Sequence, residues 1–144
     1  MLRRLAPVAA LAALPAVAAA QSGAQLYQRC ATCHQANGQG ITGAFPPLAG
    51  SEWVTGKPDA AIRILLHGVQ GEITVKGATY NSMMPAWGTA QPMTDAEAAA
   101  VLTYIRTSWG NKATPVTAAQ VAAARTATKG RSAPWTAKEL ATLK

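Results

Sequence analysis

The stretch CATCH, at residues 30–34, constrains this chain more than any other. The only two cysteines stand three apart, and a histidine follows the second. Three chemistries use such a group: a redox dithiol, part of a zinc site, or covalent attachment of a haem. A structural zinc needs four ligands. Beyond Cys30, Cys33 and His34 the chain offers His67, but no second cysteine pair and no H-x-x-x-H. A thioredoxin-like dithiol belongs to a βαβ setting, and the patterns around this motif are helical. A Cys30–Cys33 disulfide would close too small a loop to restrict the unfolded chain much. The third reading fits best. Two thiols one helical turn apart can add to the two vinyl groups of one haem, and the next residue, His34, then lies beneath the iron as an axial ligand.

A single imidazole leaves the sixth position of the iron open. Met83, Met84, Met93 and His67 are the candidates to fill it. Pro85 holds the preceding Met84 extended, which suits a segment passing across a haem face. Alone, Met84 would read as a core gap-filler; the cysteine motif makes it the expected ligand. Met93 stands at the mouth of a helix, where packing is expected. His67 ends a helix, where a surface or capping role is expected.

The N-terminal twenty residues read as an address. Arg3 and Arg4 precede an apolar run at 5–17, and Ala18, Ala19 and Ala20 offer small residues for cleavage after Ala20. A retained anchor is disfavoured by Pro7 and Pro15 and by the shortness of the run. The expected organisation is a signal peptide at 1–20, a domain at 21–110 and a basic extension at 111–144, with a periplasmic location. Between 21 and 110, five basic side chains face five acidic ones; beyond 110, six basic side chains face Glu139 alone. This is a neutral domain with a basic tail. Nothing combines basic and aromatic residues in the way a nucleic-acid surface needs.

Helical signals dominate. Leu26, Tyr27 and Cys30 share one side of a predicted helix at 24–33. Ser51 caps a turn carrying Trp53. Pro58 and Asp59 open a second helix with a stripe of Ile62, Leu65 and Leu66, stopped by Gly68. Residues 71–77 alternate weakly and predict at most a small hairpin. Thr94 and Glu97 form a capping box ahead of Ala98, Val101, Leu102, Ile105 and Trp109, one continuous apolar face. Thr117 with Gln120, and Thr136 with Glu139, cap two tail helices too short to stand alone; they must pack on the domain or a partner, or stay mobile. The expected class is all-α. The chain has only eight aromatic residues, so a large apolar cofactor would help a thin core to close.

CATCH at 30–34, FPPLAGS at 45–51, YNSMMPAWG at 80–88 and TDAEAAAVLTYIRTSWG at 94–110 resemble a class I c-type cytochrome, in that family's order and spacing. The resemblance implies about three main helices around one covalent haem c, with the first and last helices crossing through Gly23, Tyr27, Leu102, Tyr104 and Ile105. It implies thioethers at Cys30 and Cys33, and iron ligation by His34 and Met84. It makes Pro46 the carbonyl that orients the histidine ring, with Pro47 the weaker claimant. It places Leu48 on the haem face, and Tyr80 and Trp87 beside the ligand segment, where core packing is an equal reading for both. SWGNKATPVTAAQVAAAR, at 108–125, resembles the end of cytochrome subunits that accompany flavin dehydrogenases for sugars and alcohols. Those subunits usually carry several haem domains, and this chain has one motif.

The implied function is a monomeric periplasmic one-electron carrier and not an enzyme. Its partners would be a dehydrogenase or quinol-oxidising complex on one side and a terminal oxidase on the other, with membrane contact only through the basic tail. A fixed electron-relay subunit of a dehydrogenase or oxidase is the main alternative. A haem enzyme or gas sensor is the lesser one.

Overall fold

Ser22 starts the first helix. Its hydroxyl accepts from the Gln25 amide while the Gln25 side chain accepts from the Ser22 amide, so two orphan donors are satisfied reciprocally. Helix α1 runs Gly23–His34. The structure, a computed structural model, describes residues 20–87 and 92–143; the expected signal at 1–20 lies outside it except for Ala20. Ser51 caps the short α2, Glu52–Thr55. Pro58 opens α3, Pro58–His67, at a position where its missing N–H costs nothing. The Thr94 capping box opens α4, Asp95–Thr107.

The all-α expectation is corrected here. Between α3 and α4 the chain forms two antiparallel strands, β1 (Val69–Val75) and β2 (Ala78–Met84), with Val69 opposite Met84 and Val75 opposite Ala78. Val69, Ile73, Thr74, Val75 and Thr79 are β-branched and favour a pleated surface. Lys76 and Gly77 make the two-residue turn, both with positive φ (52° and 78°), the geometry that matches strand twist. Lysine is a weak signal for such a turn. Here the Glu52 carboxylate accepts from its amide, at 3.0 Å to one oxygen. The indole of Trp53 donates to the Thr74 carbonyl at 2.8 Å and fixes β1 to α2.

Helices α1 and α4 cross with no room to spare. A Cβ at Gly23 would run into the Ala100 carbonyl. Tyr27, Tyr104 and Trp109 gather at the crossing, with ring centroids 4.9–5.7 Å apart. Around it lies the main core, including Leu26, Ile62, Leu65, Leu66, Val101 and Leu102. A second cluster fills the space between hairpin and helices: Trp53, Val69, Ile73, Val75, Tyr80 and, from the tail, Leu140.

The chain beyond Gly110 packs against the body. Asn111 accepts from the Gly50 amide at 2.7 Å and donates to the carbonyls of Leu48 and Ile105. Arg106, only 1% exposed, donates to the carbonyls of Val54, Gly56 and Thr114, joining the exits of α2 and α4 to the start of the tail. Helix α5, Ala118–Ala127, lies on α3 and α4, and α6, Ala137–Ala141, lies on β1. Two tail cations pair internally: Arg125 with Asp95 at 2.6 Å, and Arg131 with Glu139 at 3.0 Å. Among the described residues no helix is long and apolar enough to cross a membrane.

Two outcomes follow from this packing. Gly23→Ala is expected to destabilise the holoprotein by about 1–3 kcal/mol, because the crossing has to open around the new methyl; denaturant unfolding checks it. His67 ends α3 and shares a 2.7 Å hydrogen bond with the Thr128 hydroxyl. Burial, then the charges of Arg131 and Arg125 from the tail and of Arg63 from its own helix, lower its pKa below 6.5. The unfolded chain therefore binds a proton at pH values where the folded His67 is still neutral. Stability contributed at this site is lost as the pH falls below 6.5. His67→Gln should flatten that part of the pH dependence of Tm, measured between about pH 7 and 5.

Candidate functional site

The end of α1 delivers three groups to one place. Cys30 and His34 are buried and Cys33 is half-buried; both cysteines are free thiols. Burial is the main reason the Cys30 thiol is pushed up to about 11, with the neighbouring Cys33 adding to it. A redox-active cysteine needs the opposite shift, so this environment suits a neutral thiol or thioether. Among the described residues no three His, Cys, Asp or Glu side chains converge as a metal cluster would require.

His34 is held by one bond. Its Nδ1 lies 2.8 Å from the Pro46 carbonyl oxygen. A carbonyl only accepts, so Nδ1 carries the hydrogen and Nε2 keeps its lone pair. Burial lowers the pKa of the ring, partly offset by this bond, so the ring is neutral at neutral pH. The loop that carries Pro46 is tied back at several points. Gly40 N–H donates to the His34 carbonyl at 3.0 Å, and the amides of Leu48 and Ala49 both donate to the Gly38 carbonyl.

Opposite stands the hairpin. Met84 is the last residue of β2 and precedes Pro85, extended as its position before proline requires. Neighbouring strand residues point to opposite faces. Met83 is 64% exposed and Met84 is half-buried, packed on the second cluster; both border the crevice between the two walls. After Pro85 the chain is caught again: the Trp87 amide donates to the Leu65 carbonyl at 3.0 Å.

Between these walls lies a crevice partly open to solvent. Cys30, Cys33, His34, Pro46, Leu48 and Met84 all border it. Tyr80 and Trp87 do not: Tyr80 is buried in the second cluster, and Trp87 packs half-buried against the main one. Met93 is buried in the main cluster, and His67 reaches the tail. Most of the remaining lining is apolar, with Val54, Ile64, Leu65, Val69, Leu102 and Ile105 prominent beside Ser51 and Ser82. Sequence reading placed Leu65 on an apolar helical stripe, and Leu102 and Ile105 on an apolar helix face at the helix crossing. Their helical spacing is the only signal they carry, and it does not separate a core wall from a cofactor wall.

The model of the Cytochrome c family matches residues 20–109. The chain belongs to the cytochrome c family. It is 50% identical over 93 residues to cytochrome c-552 of Thermus thermophilus, covering 62% of this chain and 69% of that protein. It is 39% identical over 103 residues to the cytochrome c subunit of the quinone alcohol dehydrogenase of Gluconacetobacter polyoxogenes, covering 69% of this chain and 21% of the subunit. It is 40% identical over 111 residues to the gluconate 2-dehydrogenase cytochrome c subunit of Pantoea cypripedii, covering 73% of this chain and 24% of the subunit. Membership implies a covalent haem c, and the cytochrome's crevice fits one. Two neighbouring cysteines with no disulfide between them, a neutral imidazole with a free Nε2, and mostly apolar walls border one crevice.

Expression of a Cys30→Ala, Cys33→Ala variant with a c-type maturation system is expected to yield protein without covalent haem. Mass spectrometry under denaturing conditions checks it, and a haem mass that stays with the variant would place the attachment elsewhere.

Proposed function

We propose that this cytochrome is an exported, periplasmic one-electron carrier in which His34 and Met84 ligate one haem from opposite walls. The observation that supports the reading is the crevice that a tautomer-fixed His34 and the half-buried Met84 both border; Met83, which also borders it, is 64% exposed. When bound, haem would supply one-electron Fe(II)/Fe(III) chemistry. Cys30 and Cys33 would anchor it. The Pro46 carbonyl keeps the His34 ring oriented and makes the imidazole a better donor. The Met84 thioether would be a soft ligand favouring the reduced iron, and Leu48 with the other apolar walls would shield it from water. Tyr80 and Trp87 act from behind: Tyr80 stiffens the hairpin opposite Ile73, and the Trp87 amide anchors the segment beyond Met84.

The apolar 1–20 segment with its Arg3 and Arg4 supports export. The carrier, a monomer, takes electrons from a dehydrogenase or quinol-oxidising complex and passes them to a terminal oxidase or similar acceptor. A second reading, a fixed relay subunit of a dehydrogenase, is favoured by the 39–40% identity to dehydrogenase cytochrome subunits. Stoichiometric co-purification with a larger flavin or quinone protein would decide for the relay.

The test of the ligand pair uses carbon monoxide. The reduced wild-type holoprotein is expected to stay low-spin and bind carbon monoxide slowly or not at all. Met84→Ala should bind it at once and lose about 0.1 V of reduction potential, a fraction of the range that axial ligands control. Rapid binding by the wild type would mean that Met84 does not hold the sixth position.

A further inference from the structure

We infer that the C-terminal strap, with Trp135 at its centre, is a positioning element for Met84: it holds the outer edge of β1 and so sets how readily the thioether leaves the iron. This rests on the reading of Met84 as the axial ligand.

The backbone contacts come first. Trp135 N–H donates to the Gly68 carbonyl at 3.0 Å, and the Gln70 amide donates to the Trp135 carbonyl at 2.8 Å. Together they make a parallel bridge between Trp135 and Val69. Val69 is also the register partner of Met84 across the hairpin. The strap therefore lies one strand away from the proposed ligand. Gly68, whose carbonyl the strap holds, has φ +76°, and a Cβ there would collide with the Met84 carbonyl. Any shift of the 68–70 segment is felt directly by the Met84 backbone.

The side chains lock the same contact. The guanidinium of Arg131 lies 3.5 Å from the centre of the Trp135 ring, and that of Arg63, on α3, lies 5.4 Å from it. His67 meets the ring edge-on at 6.4 Å. Leu140, 0% exposed, is buried with Val69, Ile73, Val75 and Tyr80, the cluster against which Met84 packs. The root of the strap is fixed as well. Val121 and Ala124 of α5 are buried in the main core, and Arg125 donates to the Met93 carbonyl at 2.5 Å.

The physical need is plain. A lone two-stranded hairpin is marginal in water. An uncovered β1 edge would leave its outer amides and carbonyls to solvent, and the strand end that carries Met84 would fray first. The strap makes Val69, the partner of Met84, the middle of a three-segment arrangement. Its action on the iron is indirect, through Val69 and Gly68.

The test measures the departure of the thioether itself. Ferric holoprotein, full chain, is mixed with increasing imidazole. Where Met84 must leave first, the displacement rate levels off at the rate of its departure. Trp135→Ala is expected to raise that limiting rate about tenfold. Trp135→Phe, which keeps an aromatic face for both arginines and the backbone bridge, should stay near wild type. Gly23→Ala weakens the fold at the distant helix crossing and is expected to leave the limiting rate unchanged. If Trp135→Ala yields no holoprotein, Leu140→Val decides on the same rate. An unchanged rate in the strap variants, or equal acceleration by Gly23→Ala, overturns the proposal. A wild type that lacks the far-red Met–Fe(III) band, or whose rate never levels off, instead removes the Met84 reading beneath it.

Discussion

The hydrogen bond between His34 Nδ1 and the Pro46 carbonyl decides which nitrogen of the ring is free. Much of the local architecture serves it. Helix α1 has to end at His34, and the loop that follows has to turn back far enough to bring Pro46 beside the ring. The Gly40 amide and the Gly38 carbonyl hold that return at both ends. With the ring fixed, Cys30 and Cys33 on the preceding turn are fixed too, since all three ride on one helix end. The crevice then needs only an opposing wall, which the hairpin supplies.

That wall packs directly on α2 and α3 through Trp53 and Ala60, and it also borders the crevice. The main cluster contributes Leu65, Leu102 and Ile105 to the lining, and the second cluster contributes Trp53, Val69 and Ile73. An apolar cofactor between them unites two modest cores into one. This would answer the shortage of large side chains in the sequence, with the covalent haem c that family membership implies serving as core material as well. Polar stitching does the remaining work, with buried Arg106 and Asn111 satisfied by backbone groups of α2, the 48–50 turn and the tail.

Much of this was legible in the residues. The capping boxes at Thr94, Thr117 and Thr136 mark true helix starts, because reciprocal caps are local and need no tertiary help. The crossing at Gly23 and Tyr27 and the approach of His34 to Pro46 were readable through the family resemblance. The hairpin was read too short and the class was therefore wrong. Its turn is Lys-Gly, stabilised by the distant Glu52 carboxylate, and its second strand, ATYNSMM, has no clean alternation. The tail offered a choice between packing and mobility, and charge counting could not make it. What decides is long-range: Leu140 beneath the hairpin, Trp135 between two arginines, and Arg125 on Asp95.

The central claim is that Met84 faces the iron from the hairpin side. The most direct test is a methyl-labelled methionine spectrum of the reduced holoprotein, in which the low-spin iron is diamagnetic. The chain has four methionines. The account predicts one methyl resonance carried far upfield by the porphyrin ring current, and its loss in Met84→Ala. Methyl signals that all stay in the ordinary range, or an upfield signal that survives Met84→Ala, would contradict it.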